Sequence, residues 1–274
     1  RANYDTGHTA PQVFSGPPMA HRHEIRVRYG ETDQMGVVHH SVYALYFEEA
    51  RTELMRSLGI RYADLEKDGY LLPLIEKGLA VLYLNSTPQG EPVSSIHCDD
   101  QRGGYEATRH LIELGHTAIA TIVGPGNEEA SDDRLAGYRQ AIAEAGLSYE
   151  PDCLVRGDWS ATSGYVGTRQ LLGSGRQFTA IFAQNDRMAV GAIRALRETG
   201  RRVPADLSVI GFDDIPLASY FDPPLTTLQQ PMKETGERAA RLLVETIQDP
   251  TRVPERVSLR ARLIERASCA PVEA

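Results

Sequence analysis

The stretch AIFAQNDRMAVGAIRALRETG, which runs from Ala180 to Gly200, decides the fold class of this chain. It opens with a short apolar run of strand length and continues, after a polar Gln-Asn-Asp, with apolar residues at helical spacing. Gly200 follows at the position where the end of a helix favours a residue with positive φ. The stretch therefore predicts a buried strand, Ala180–Ala183, followed directly by a helix, Asp186–Glu198.

The same rhythm of strand and helix extends from about Gly78 to the end of the chain. Further strands are predicted at Leu79–Leu84, Val93–His97, Ala118–Val123, Cys153–Val155, Ser208–Phe212 and Thr226–Leu228. Further helices are predicted at Gly103–Leu114, Asp132–Ala145, Ala161–Leu172 and Lys233–Ile247. Such alternation is typical of right-handed βαβ units, so an α/β fold with a parallel sheet and helices on both faces is expected. No internal repeat is evident.

Composition narrows the classes of function. The 274 residues carry a formal charge of -8 and are 41% hydrophobic, which favours a folded protein and gives no overall electrostatic attraction to nucleic acid or to an anionic membrane. The three cysteines, Cys98, Cys153 and Cys269, are far apart and form no CxxC pair. Reduced thiols in a cytoplasmic protein are expected, with no metal site, no cofactor and no membrane span.

Polar side chains follow four successive predicted strands. They are Arg134, the single tryptophan Trp159, Asn185 and Asp213. Because ligands of open α/β sheets bind outside the carboxyl ends of the strands, these side chains are expected to share one site. A carboxylate, an amide, a guanidinium and an indole together suit a polyhydroxylated ligand such as a sugar. No nucleophile with its base is evident among them.

Each of these residues also has a purely structural explanation. Asn185 and Ser160 are well placed to cap the helices that follow them. Asp213 and Asp214 are ordinary turn residues, and Trp159 is suited to filling a core. The arrangement of all four candidates at one sheet edge favours the ligand site, but the structural alternatives stay open.

Five segments carry a resemblance to a known family. They read GGYEATRHLIELGHTAIATIVGP, SDDRLAGYRQAI, GDWSATSGY, FAQNDRMAVGAIRAL and VPADLSVIGFDDIPLASYFDPPLTTLQQP. In order and spacing they resemble the effector-binding domain of LacI/GalR transcription regulators, which is similar to periplasmic sugar-binding proteins. The resemblance covers residues 78–274, with the C-terminal subdomain complete and the N-terminal subdomain partial.

The resemblance has consequences for function. It implies a non-enzymatic sensor that binds a sugar-like or nucleoside-like effector and forms a homodimer. It assigns the ligand contacts to Arg134, Trp159, Asn185 and Asp213, the residues already selected by their position after strands. Since the sequence shows no DNA-reading headpiece of this family, DNA binding by this chain is not expected.

A second resemblance lies in the N-terminal part. RVRYGETDQMGVVHHSVYALYFEEARTELMR, within residues 23–77, resembles the first half of hotdog-fold acyl-CoA thioesterases of the 4-hydroxybenzoyl-CoA type. It implies that Asp33 acts as base or nucleophile at a thioester, with His40 nearby. The remaining hotdog strands do not follow Glu76, so an inactive partial module is expected and thioesterase activity is the alternative. With residues 1–22 as a disordered tail, the chain has the character of a chimera.

Overall fold

The computed structural model of the chain describes residues 80–85, 92–126 and 128–272. The predicted tail and the predicted hotdog-like module, with Asp33 and His40, lie outside the described residues.

The chain divides into two compact units. One comprises Arg1–Val81 with Leu243–Arg252, and the other comprises Leu82–Leu242 with Val253–Ala274. All the described strands, and the cleft that is presented below, belong to the second unit.

Two sheets are built from the described strands. In chain order these strands are β1 (Leu82–Leu84), β2 (Ser94–Cys98), β3 (Ile119–Val123), β4 (Leu154–Arg156), β5 (Ala180–Ala183), β6 (Ser208–Asp213), β7 (Thr226–Gln229), β8 (Arg256–Leu259) and β9 (Arg262–Ile264). The larger sheet has the order β4-β3-β5-β6-β7-β9 and is parallel except for the antiparallel pair β7 and β9. The smaller sheet has the order β1-β2-β8 and is parallel.

Helices cover both faces of the larger sheet. The described α-helices are α1 (Asp100–Glu113), α2 (Glu129–Glu144), α3 (Ala161–Gly173), α4 (Asp186–Glu198) and α5 (Met232–Gln248). Successive residues of a strand face opposite sides. In β5, Ile181 therefore packs in one core with α3 and α4, whereas Phe182 packs in the other core with α1 and α2. Helix α5 packs through Ala239 and Leu242 in a third core with strands of the smaller sheet.

The predicted elements agree closely with the described ones. The helix at Asp186–Glu198 and the strand at Ala180–Ala183 have the predicted bounds, and the other predicted elements differ by at most three residues at either described end. Strands β8 and β9 were not predicted, because each is only four or three residues long, begins with an arginine and is partly exposed. Among the described residues, no helix is both long enough and apolar enough to cross a membrane.

Helices α1 and α3 share a short sequence pattern with the same local hydrogen bonds. GYEATR at residues 104–109 recurs as GYVGTR at residues 164–169. In each copy the threonine hydroxyl donates to the carbonyl oxygen of the glycine at 2.8 Å. The tyrosine hydroxyl donates to a glutamate near the end of the next helix, Glu144 (2.8 Å) or Glu198 (2.6 Å). Four identical residues are too few to stand out from sequence alone.

Glycines set the closest approach of each helix pair. A Cβ atom added to Gly104 of α1 or to Gly137 of α2 would collide with the backbone of the opposite helix. The same holds for Gly164 of α3 and Gly191 of α4. The backbones of the two helices are therefore in direct contact at both crossings. This contact fixes the position of each helix relative to its neighbour.

Candidate functional site

A cleft of about 270 Å³ lies at the carboxyl ends of strands from both sheets. The described residues that line it are Asn85, Asp100, Glu128, Ala130, Arg134, Trp159, Asn185, Asp213 and Gln230. All four residues selected from the sequence are brought together here. The volume is close to the lower end of the range of small-molecule sites, about 300 to 1,000 Å³, and fits a compact ligand.

Arg134 is the central cation of the cleft. Its side chain is 6% exposed, and its Nε donates to Asp100 Oδ1 at 2.7 Å. Nη1 donates to the carbonyl oxygen of Gln184 at 2.5 Å and lies 3.8 Å from Asp213 Oδ1. The guanidinium stacks 3.7 Å from the ring centre of Phe212. Arg134 lies in the second turn of α2, and this position places its guanidinium between the carboxylates of Asp100 and Asp213.

Burial and the charge of Arg134 shift the pKa values of the two neighbouring carboxylates in opposite directions. Burial raises the pKa of Asp100 above its usual range, and the Arg134 charge and its hydrogen bond oppose that shift. Burial likewise raises the pKa of Asp213, again opposed by Arg134. Arg134 is therefore the largest of the influences that oppose the effect of burial on the pKa of both carboxylates.

Trp159 forms one wall of the cleft and adopts a backbone φ of 67°. Its Nε1 donates to Glu128 Oε2 at 2.6 Å, which fixes the plane of the indole. A Cβ atom on Gly124 would collide with the indole ring, so glycine is required where β3 ends. The partly buried tryptophan also packs against a core, so the structural alternative and the cleft placement both apply.

Asn185 has two roles in the local structure. Its Oδ1 accepts from the Met188 N–H at 2.8 Å and thereby caps α4, as the structural alternative proposed. Its Nδ2 donates to the carbonyl oxygen of Trp159 at 3.1 Å, which ties the indole-bearing loop to α4. Ser160 caps α3 in the same manner by accepting from the Ser163 N–H. Asn185 nevertheless lines the cleft as well.

Asp213 presents a carboxylate oxygen to the cleft side of β6. Its Oδ1 accepts from Gln230 Nε2 at 2.6 Å. Among the described residues, none forms a hydrogen bond with its Oδ2. That oxygen is available to accept a hydroxyl donor from a ligand.

Several residues of the cleft were not selected from the sequence. Asn85 follows β1, Asp100 begins α1 just after β2, and Gln230 follows β7. The rule that found the first four residues, applied to these three strands, would have found them too. Glu128 lies in the loop after β3, six residues before Arg134, but its hydrogen bond from Trp159 is visible only in three dimensions.

The cleft is equipped for recognition by hydrogen bonds and ring contact. Its carboxylates and amides offer donors and acceptors to a polar ligand, and the indole offers an apolar face. Within the described ranges, no group of three or more His, Cys, Asp or Glu residues is arranged to hold a metal ion.

Asp186 lies behind the cleft, fully buried at the start of α4. Its carboxylate accepts from the Thr227 hydroxyl at 2.5 Å and from the Ile215 N–H at 2.8 Å. Burial, reinforced by the charges of Asp213 and Asp214, raises the pKa of Asp186 to about 7. The carboxyl therefore titrates in the neutral range.

The titration of Asp186 should appear in the pH dependence of stability. With a folded-state pKa of about 7 against 3.8, its stabilising contribution is complete below about pH 4 and is lost as the pH rises to 7. Asp186→Asn removes the charge; its Oδ1 can still accept from the Ile215 N–H, and its Nδ2 can donate to the Thr227 hydroxyl, which reverses the direction of that bond. Its free energy of unfolding relative to the native chain should rise between pH 5 and 7 by up to about 1.4 kcal/mol per pH unit. Urea unfolding across this range provides the measurement.

Asp206→Asn serves as the control for that measurement. Hydrogen bonds from Arg202 lower the pKa of Asp206 to about 2, so this carboxylate stays ionised throughout the range in both folded and unfolded chains. Its effect should not vary with pH. An Asp186→Asn difference that is equally flat would contradict the assigned titration.

The fold and the cleft define a class of ligand-binding domain, and comparison with known proteins identifies its family. The family described as periplasmic binding protein-like domain matches residues 108–269. A relative, the HTH-type transcriptional regulator CelR of Thermobifida fusca, is 38% identical over 77% of this chain and 63% of its own.

Solved structures of similar proteins agree. A transcriptional regulator CelR–cellobiose complex has a TM-score of 0.69 and 40% identity, covering 74% of this chain and 62% of that one. A LacI family transcriptional regulator from Enterococcus faecium with bound ribose has a TM-score of 0.66 and 35% identity, covering 73% and 74%. The chain belongs to the periplasmic-binding-protein-like domains of the LacI family. It spans about half to three fifths of the length of the curated relatives it matches.

Proposed function

We propose that this chain is the effector-binding part of a LacI-type transcription regulator and that its cleft binds a sugar. The proposal depends on one observation, the cleft in which Asp213, Asn185 and Arg134 lie beside the indole of Trp159. The carboxylate accepts from sugar hydroxyls, the amide and guanidinium donate to sugar oxygens, and the indole covers the apolar face of the ring. Relatives solved with cellobiose and with ribose support a saccharide as the ligand class.

The proposed domain comprises residues 78–274, with its N-terminal subdomain partial. Transcription regulation is a property that the relatives' names state, and for this chain it is part of the proposal. A homodimer, a cytoplasmic location and a non-enzymatic role complete it. DNA binding is not assigned to the residues of this chain.

The thioesterase alternative stays a prediction. It depends on Asp33 and His40 in the hotdog-like residues 23–77, which lie outside the described residues. No observation in the described part of the chain favours it.

The single tryptophan provides a direct test of sugar binding. Titration with ribose, glucose, cellobiose or adenosine should change the emission of Trp159, because the indole lines the cleft. Asp213→Ala should raise the Kd of the responding ligand about ten- to a hundredfold, since a hydrogen bond to a charged group contributes about 1.5–3 kcal/mol. Fluorescence titration, with calorimetry as an independent readout, measures both effects.

Asp222→Ala is the matched control. This carboxylate is 88% exposed and pairs with Arg197 outside the cleft, so its removal should leave the Kd unchanged. If the folded native chain gives neither an emission change nor a heat of binding with any member of the panel, the proposed function is wrong.

A further inference from the structure

Backbone strain is concentrated around the cleft. Among the described residues, the non-glycine residues with positive φ are Asn85, Trp159, Asp213 and Asp214. Three of them line the cleft, and the fourth directly follows Asp213. The φ angles of Asp213 and Asp214 are 116° and 56°, so two consecutive residues with side chains occupy a region that favours glycine. Such strain persists only where surrounding contacts enforce it.

The side chain of Asp214 accepts one hydrogen bond on each carboxylate oxygen. Arg266 Nη2 donates to Asp214 Oδ1 at 2.7 Å, and Gln229 Nε2 donates to Oδ2 at 2.7 Å. The side chains of Arg266 and Asp214 are only 17% and 10% exposed, which protects the ion pair from screening by solvent. Both oxygens of the carboxylate are therefore fixed.

Arg266 is itself anchored to the segment that enters β7. Its Nη1 donates to the carbonyl oxygen of Leu225 at 2.8 Å, and its backbone N–H donates to the Thr226 hydroxyl at 2.9 Å. The guanidinium thus connects the loop after β6 to the neighbouring strand. Neither Asp214 nor Arg266 is among the described residues that line the cleft.

We propose that the Asp214–Arg266 ion pair positions the carboxylate of Asp213 for ligand binding. Gln230 holds Asp213 Oδ1, Asp186 accepts from the N–H of residue 215, and the ion pair fixes the residue between them. The two strained residues, Asp213 and Asp214, are thereby held in the conformation in which Asp213 lines the cleft. This role rests on the proposed sugar-binding function, to which it adds Asp214 and Arg266 as positioning residues.

Substitution of Asp214 by glycine distinguishes the effect of losing the ion pair from the effect of relieving backbone strain. Asp214→Gly removes the carboxylate but accepts a φ of 56° without steric cost. If relief of strain were all that mattered, this variant would bind sugar at least as well as the native chain. If the ion pair positions Asp213, then Asp214→Gly and Arg266→Gln should each raise the Kd about tenfold, the effect of one hydrogen bond to a charged group.

Amide hydrogen exchange gives a second readout that needs no ligand. The Ile215 N–H, which donates to Asp186, should exchange about tenfold faster in both variants, because the loop loses its anchor. Leu242→Ala is the control for general destabilisation, since this buried side chain lies in the core formed with the strands of the smaller sheet, which includes neither Ile215 nor Trp159. It should lower the unfolding temperature and leave both the Kd and the exchange of this amide unchanged.

The two readouts distinguish failure of the positioning role from failure of the proposed function. Native-like Kd and native-like Ile215 exchange in Asp214→Gly and Arg266→Gln would overturn the positioning role. If the native chain binds no sugar, the proposed function fails, and exchange alone decides: faster exchange supports the anchor, and unchanged exchange overturns it.

Discussion

Arg134→Leu should lower the free energy of unfolding by about 3–5 kcal/mol, the usual effect of removing one partner from a buried ion pair. The substitution leaves Asp100, whose side chain is 13% exposed, without its 2.7 Å partner. It also removes the nearby positive charge from Asp213 and a donor from the carbonyl of Gln184. Sugar binding should be lost at the same time. Urea unfolding followed by circular dichroism measures the stability change, and fluorescence titration measures binding.

Two further variants test the cause of that loss. Arg109→Leu removes an exposed guanidinium that pairs with Glu113 one turn away, and its effect on the free energy of unfolding should be much smaller than that of Arg134→Leu, because solvent screens the exposed pair. Adding Asp100→Asn to Arg134→Leu should restore part of the stability, because the buried charge is then removed with its partner. Equal effects of Arg134→Leu and Arg109→Leu would show that burial of the pair contributes nothing.

The second large effect is expected from a single methyl group between α1 and α2. Gly137→Ala should reduce the free energy of unfolding by about 1–3 kcal/mol or more, since overpacking of a fixed contact has this magnitude. The added Cβ would collide with the backbone of Gln101 and Tyr105, which cannot be relieved by rotating a side chain. Because α1 carries Asp100 and α2 carries Arg134, the affinity for sugar should fall as well. Denaturant unfolding and titration provide the two measurements.

Gly236→Ala is the matched control for helix propensity. A Cβ at this position in α5 meets no atom within 4 Å, so alanine should stabilise the chain by about 0.5–1 kcal/mol through its better helix propensity. A stabilising effect at both positions would mean that α1 and α2 do not approach each other closely at Gly137.

Much of the fold could be predicted because short buried strands and amphipathic helices leave strong local patterns. Ala180–Ala183 and Asp186–Glu198 have the predicted bounds, and Gly200 has the positive φ expected at a helix end. Strand β9 was missed because it is a short, partly exposed strand at the edge of the sheet, where pairing with β7 rather than hydrophobicity defines it. Long-range pairing of this kind leaves little trace in local sequence.

The candidate site was predicted only in part, because strand ends can be located from local sequence whereas long-range side-chain partners cannot. A rule about strand ends needs only the strand boundaries, and it placed Arg134 and Asp213 in one cleft. The partners that give these residues their properties are distant in sequence: Asp100 lies 34 residues from Arg134, and Arg266 lies 52 residues from Asp214. From the sequence, helix capping and ligand binding are alternative roles for Asn185. In the structure the same side chain caps α4 and lines the cleft.

The paired glycines of the two helix crossings have a consequence for how this domain changes over time. At both crossings the contact is between main chains, so it makes no demand on the side chains that the same helices present in their first turns. In α2, the glycine that sets the contact with α1 is therefore a different residue from Ala130, which lines the cleft. A lineage can exchange Ala130 at the start of α2, and with it the shape of the cleft, while Gly137 two turns later preserves the scaffold. Such separation lets the cleft change its shape while the contact between α1 and α2 is kept.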